Sequence, residues 1–231
     1  MAIAASALLV GCALPPNTAL RDWARMGSVL ADHPDAIAPP DPAQRDGLVA
    51  QQEALAIYLY ALSVLAKRET PLTFRDAAYA PLVPRAVAVD RAAGAAVATL
   101  GTALATARAG NFPPHARDRS AGSATVLEDL RLGPLVRSAD PAVQTLVVSL
   151  SRGTTGFAGP EQAAYRQLLT AIGEGHALLT SHANQLRQRE VSRDILAQDD
   201  RLRRLLVILQ PDAAVGLRAD PAGMVGAVVQ P

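Results

Sequence analysis

The chain has 231 residues, half of them hydrophobic and 19% charged, which is enough apolar material for one globular domain, or one domain with an appendage, and argues against a disordered chain. Its 22 basic and 21 acidic side chains leave a net charge of +1, a balance that argues against nucleic acid or another polyanion as partner. Aromatic residues make up 3%, and alanine recurs in blocks such as AAGAAVATLGTALATA, so Leu, Val and Ala must fill the core. That composition favours closely packed helices over strands. The predicted fold class is all-α, a helical bundle of about five to six helices with one long C-terminal helix.

The first element, Ala2 to Val10, is an uncharged apolar stretch the length of a signal-peptide core, and too short for a span of about 20 residues. It runs into Leu9-Val10-Gly11-Cys12, and Cys12 is the only cysteine. These four residues resemble the lipobox of bacterial lipoproteins. The resemblance covers the first dozen residues, and the chain departs from that class in carrying no Lys or Arg near Met1. It implies a signal peptide over 1–11, removed before Cys12, with Cys12 as the lipidation site. Acyl chains bury about 0.8 kcal/mol per methylene, so two or three anchor stably. Residues 12–16 form a tether that holds the body close to the bilayer, and Ala13, in place of the Asp that marks inner-membrane retention, slightly favours the outer membrane. With a single thiol, no intrachain disulfide, CxxC or zinc-ribbon spacing exists.

From Asn17 the chain reads as helices punctuated by proline. Asn17 is a candidate cap for a helix with Leu20, Trp23, Ala24, Gly27 and Leu30 on one face, stopped at His33-Pro34. After the turn-rich HPDAIAPPDP, Asp41-Pro42 supplies a cap and first-turn pair for a helix to about Lys67. Its stripe of Leu48, Leu55, Leu59, Leu62 and Ala66 has apolar flanks, so a central place in the bundle is expected. Prolines 71, 81 and 84 allow only short helices before Asp90, which caps the next long helix to Arg108. Gly94, Gly101 and the alanines around them permit close approach by a neighbour.

AGNFPPHARDRSAGS reads as an exposed loop. Two short helices are expected beyond it, Ala124 to Ser138 and, capped by Asp140-Pro141, Ala142 to Arg152. Pro160-Glu161 then opens the longest pattern, carried by Tyr165, Leu168, Ile172, Leu179, Leu186, Ile195, Leu202, Leu205 and Leu209. Unbroken, it would extend about 75 Å, with Gly173, Gly175 or the polar stretch near Arg189 as the places for a kink. RQREVSRDILAQDDRLRR alternates charge sign as a solvated face. The domain reading is therefore a bundle over 17–210 and a flexible tail over 211–231.

Glu174, His176 and His182 form the only cluster that suggests a metal, yet the spacing is not HExxH, and the two histidines point roughly 120° or more apart on a helical wheel. His176 reads as a surface or core-edge residue. Gly173-x-Gly175 lacks a third glycine and a preceding strand, so it reads as close packing or a kink. Ser151 to Gly156 reads as a loop whose amides suit an anion, and Trp23, Tyr58, Tyr60, Tyr79 and Tyr165 read mainly as core filler. No serine-nucleophile motif or P-loop lysine occurs. No catalytic residue, cofactor or metal is assigned. The expected function is a periplasm-facing, lipid-anchored interaction or scaffold protein of the envelope with a protein partner; the alternative is a carrier of an apolar small molecule or lipid among the helices.

Overall fold

The computed structural model describes residues 17–33, 36–37, 41–66, 72, 75–110, 124–154, 159–186 and 188–209. Cys12, the stretch before it, the Gly/Pro-rich segment after Asn111 and the tail from 211 lie outside them. The described residues form seven α-helices: α1 Thr18–Ala31, α2 Pro42–Ala66, α3 Leu82–Val89, α4 Arg91–Ala109, α5 Ala124–Gly153, α6 Pro160–Ser181 and α7 Arg189–Leu209. A 3-10 turn, Asp76–Ala78, precedes α3, and no strand occurs among the described residues. The fold is an all-α bundle.

Local chemistry sets most of the boundaries. Asp41 Oδ1 accepts from the Ala43 amide at 3.0 Å and Asp90 Oδ1 from the Ala92 amide at 2.7 Å, so both expected caps start α2 and α4. Asn17 differs. It sits at the start of α1 in the left-handed region (φ 63°), and its side chain makes no capping bond.

Each helix packs against the next along the chain, and α7 closes the circuit on α1. Paired contacts fix the directions. Gly27 lies against Leu59 while Gln52 Nε2 donates to the His33 carbonyl at 2.9 Å, so α1 and α2 are antiparallel. Gln144 reaches Gly173 and Arg137 reaches Asn184, so α5 and α6 are antiparallel as well. Helix α2 also touches α4 and α5, and Leu55, Tyr58, Leu59 and Leu62 on it are fully buried. It is long and apolar enough to cross a bilayer by length and composition, yet 72% of its apolar window is buried in the bundle, the central place its flanks predict. Each such leucine contributes about 1.5–3 kcal/mol through burial.

Absent side chains matter as much. A Cβ on Gly94 would stand 2.1 Å from Val87, and one on Gly47 would stand 2.2 Å from Val89, so α3 lies directly on α4 and α2 at those points. Arg85 adds exposed ion pairs from α3 to Asp46 (2.8 Å) and Glu53 (3.5 Å) on α2. They mark register and add little stability.

Two expected boundaries are corrected. The short helices on either side of Asp140-Pro141 are one helix, α5, with Pro134 and Pro141 inside it. A proline within a helix removes a backbone donor and crowds the carbonyl four residues earlier, at about 3 kcal/mol. Burial of Val136, Ala139, Val143 and Leu146 on the inner face of the same helix offsets that cost. The long C-terminal pattern is two helices, α6 and α7, parted over 182–188 just before Arg189. One straight rod would leave both apolar stripes facing water, whereas the hairpin buries them against α1 and each other.

Candidate functional site

Buried polar groups are scarce in this core, and two of them join a partly exposed carboxylate in one chain. The Tyr58 hydroxyl on α2 lies 2.7 Å from His176 Nε2 on α6, and His176 Nδ1 lies 2.8 Å from Asp140 Oδ1 on α5. Gln144, one turn beyond Asp140, donates to the same Oδ1 at 3.1 Å and to the Gly173 carbonyl at 3.0 Å. Tyr58 and His176 are fully buried, and Asp140 alone reaches solvent, with 24% of its side chain exposed.

The protons can be assigned from chemistry. A carboxylate only accepts, so His176 Nδ1–H donates to Asp140, and Nε2 then accepts from the phenol. Burial drives the Tyr58 phenol well above its ordinary range, with the Tyr79 and Asp140 charges adding to it, so this hydroxyl keeps its proton. The Asp140 carboxyl is held below its ordinary value, chiefly by the hydrogen bond from His176, against the opposing effect of burial and with help from Gln144. The phenol sits at the fully buried end of the chain. The arrangement ties three helices through satisfied polar groups, with the phenol and imidazole buried and the carboxylate partly open to solvent.

His176 therefore is not the surface or core-edge residue expected of it. It occupies the core position between Ile172 and Leu179, both fully buried. Glu174 points the other way and pairs with Arg201 of α7, while His182, at the end of α6, lies 3.1 Å from the Leu178 carbonyl and 2.9 Å from Ser181 Oγ. The structure thus separates the three residues that suggested a metal. No group of three or more His, Cys, Asp or Glu side chains gathers into a possible ion site among the described residues. His115 lies outside them.

Gly175 packs instead of binding. A Cβ there would meet the Trp23 indole at 2.7 Å, so the absent side chain lets α6 lie on a fully buried tryptophan. Ser151 to Gly153 are the last turn of α5, an end that presents carbonyls and not amides, and this corrects the anion-loop reading for them; Thr155 and Gly156 lie outside the described residues. Thr154 Oγ1 donates to the Ser151 carbonyl, and Arg166 donates to the Thr154 carbonyl at 3.0 Å.

Of the aromatic set, Trp23, Tyr58, Tyr79 and Tyr165 are buried and Tyr60 is 53% exposed. Tyr79 donates to the Ala54 carbonyl at 2.7 Å and Tyr165 to that of Ala31 at 3.1 Å, so each buried hydroxyl has a partner. Asp199, expected on a solvated face, is turned into the bundle at 4% exposure. Burial raises its carboxyl above the ordinary range, against the lowering pull of Arg203 at 2.7 Å. Gln51 is fully buried with neither polar atom hydrogen-bonded among the described residues.

Two open grooves flank the outer side of α5. One of about 500 Å³ lies toward α6, and the other, of about 300 Å³, lies toward the start of α4. Comparison with known proteins finds no matching family model, no matching curated protein and no matching solved structure.

Proposed function

We propose that this chain is a lipid-anchored helical protein of the bacterial envelope, held to the membrane through Cys12, whose body faces the periplasm and serves as an interaction or scaffold module. The observation that carries the reading is the placement of the thiol. Cys12 follows an apolar stretch and a Leu-Val-Gly run, and α1 begins at Thr18 with Leu20 and Trp23 already in the core. Only 13–17 separate the thiol from the packed body, so an anchor at Cys12 would hold the bundle close to a bilayer.

The buried polar chain supports a binding rather than catalytic role, because its phenol and imidazole are sealed and serve to join α2, α5 and α6. The carrier alternative calls for an enclosed apolar cavity among the helices, whereas the two grooves on α5 are open to solvent.

Metabolic labelling with a radioactive fatty acid tests the anchor. Label is expected in the wild type and absent from Cys12→Ser, and the wild type should sediment with membranes while the variant is released. Equal labelling of the two chains, or none in either, overturns the reading.

A further inference from the structure

The outward row of α5, Gln144, Val148 and Arg152, lines both grooves at one-turn intervals. Val148 is 47% exposed on the outer side of a helix whose inner face is sealed. The larger groove is polarised along its length. Arg152 and Arg166 stand at one end, where Arg166 reaches the Thr154 carbonyl. Glu174 stands at the other, beside Gly173, over which the Gln144 side chain lies.

We propose that this face pairs with the same face of a second copy of the chain, α5 antiparallel to α5, about a twofold axis crossing the helix at Val148. Such an axis lays the Arg152 and Arg166 end of one copy over the Gln144 and Glu174 end of the other. Each copy supplies both halves of the match, so an Arg166 to Glu174 ion pair forms twice, with Val148 against Val148 at the centre. The parallel arrangement would set Arg152 against Arg152 and leave Arg166 and Glu174 on opposite flanks without a match, which disfavours it. Arg166 and Glu174 each have capacity left. A guanidinium has further N–H donors beyond the bond to Thr154, and Arg201 engages only Oε2 of Glu174.

This inference names a partner for the interaction reading and rests on it in that respect alone; lipid anchoring can fail or hold independently of it. The full chain carrying Cys12→Ser, which removes acylation and any thiol coupling, is examined by sedimentation equilibrium over a range of concentrations. A monomer–dimer equilibrium is expected, and Val148→Asp should raise its dissociation constant at least about tenfold. Arg166→Glu and Glu174→Arg should each weaken the dimer, and the two together should restore it, with circular dichroism checking that every variant folds. In the same background Val148→Cys should give a disulfide-linked dimer under mild oxidation. A chain that stays monomeric up to about 1 mM overturns the proposal, as does a dimer unmoved by Val148→Asp or a folded charge swap without rescue.

Discussion

Removing a single oxygen from Tyr58 tests the buried polar chain most directly. Tyr58→Phe leaves His176 Nε2 without its donor in a fully buried site, and the expected loss is about 1–3 kcal/mol of unfolding free energy in urea. Adding His176→Leu to Tyr58→Phe should cost less than the sum of the two single changes, because the second substitution removes the orphaned acceptor. Asp140 gives the chain a pH dependence. Its folded-state carboxyl is depressed below the ordinary 3.8, so its contribution is present above the unfolded value and is lost as pH falls through the lower folded one. Asp140→Asn should therefore be less stable than wild type at pH 7, and the melting temperatures of the two should converge as pH falls through the depressed folded-state value. A stability gap that stays constant across that range would count against the assigned role. Tyr58 was legible as core filler, whereas His176 read as a surface or core-edge residue; that the two meet was not legible, because 118 residues separate them.

Helix packing turns on glycine at one crossing. The Trp23 ring occupies the space a Cβ of Gly175 would need, at 2.7 to 2.8 Å, so α1 and α6 can keep their spacing only with glycine there. Gly175→Ala should lower stability by about 1–3 kcal/mol through overpacking, despite alanine's better helix propensity, and should shift Trp23 fluorescence. Gly110→Ala is the control. A Cβ there meets nothing closer than 3.4 Å and the backbone is ordinary (φ −78°), so the change should stay within about 0.5 kcal/mol. The same pairing of local and distant demands explains α5. Asp140-Pro141 has the local form of a helix start, but the Asp140 carboxylate is engaged by His176 and Gln144, and the helix continues through the proline.

The whole bundle is a closed circuit of helices around α2, with α7 returning to α1. If Cys12 serves as the anchor, Cys12→Ser should leave helical content and melting temperature unchanged while changing where the protein sediments. A variant that unfolds would instead show that the region around Cys12 contributes to the packed body. On a membrane, anchoring would confine copies to two dimensions and raise their effective concentration, which favours pairing through a modest face such as that around Val148.

Helix class, the caps at Asp41 and Asp90, the central place of α2 and the sealed face of α1 all follow from composition and from apolar spacing along consecutive turns, which act within a few residues. The break between α6 and α7, the passage of α5 through Pro141, the inward turn of Asp199 and the meeting of Tyr58, His176 and Asp140 do not follow from it. Each depends on which helices lie side by side. A local preference worth a few kcal/mol yields when burial against a distant helix is worth more, and a buried donor and acceptor can satisfy one another only once the bundle has closed.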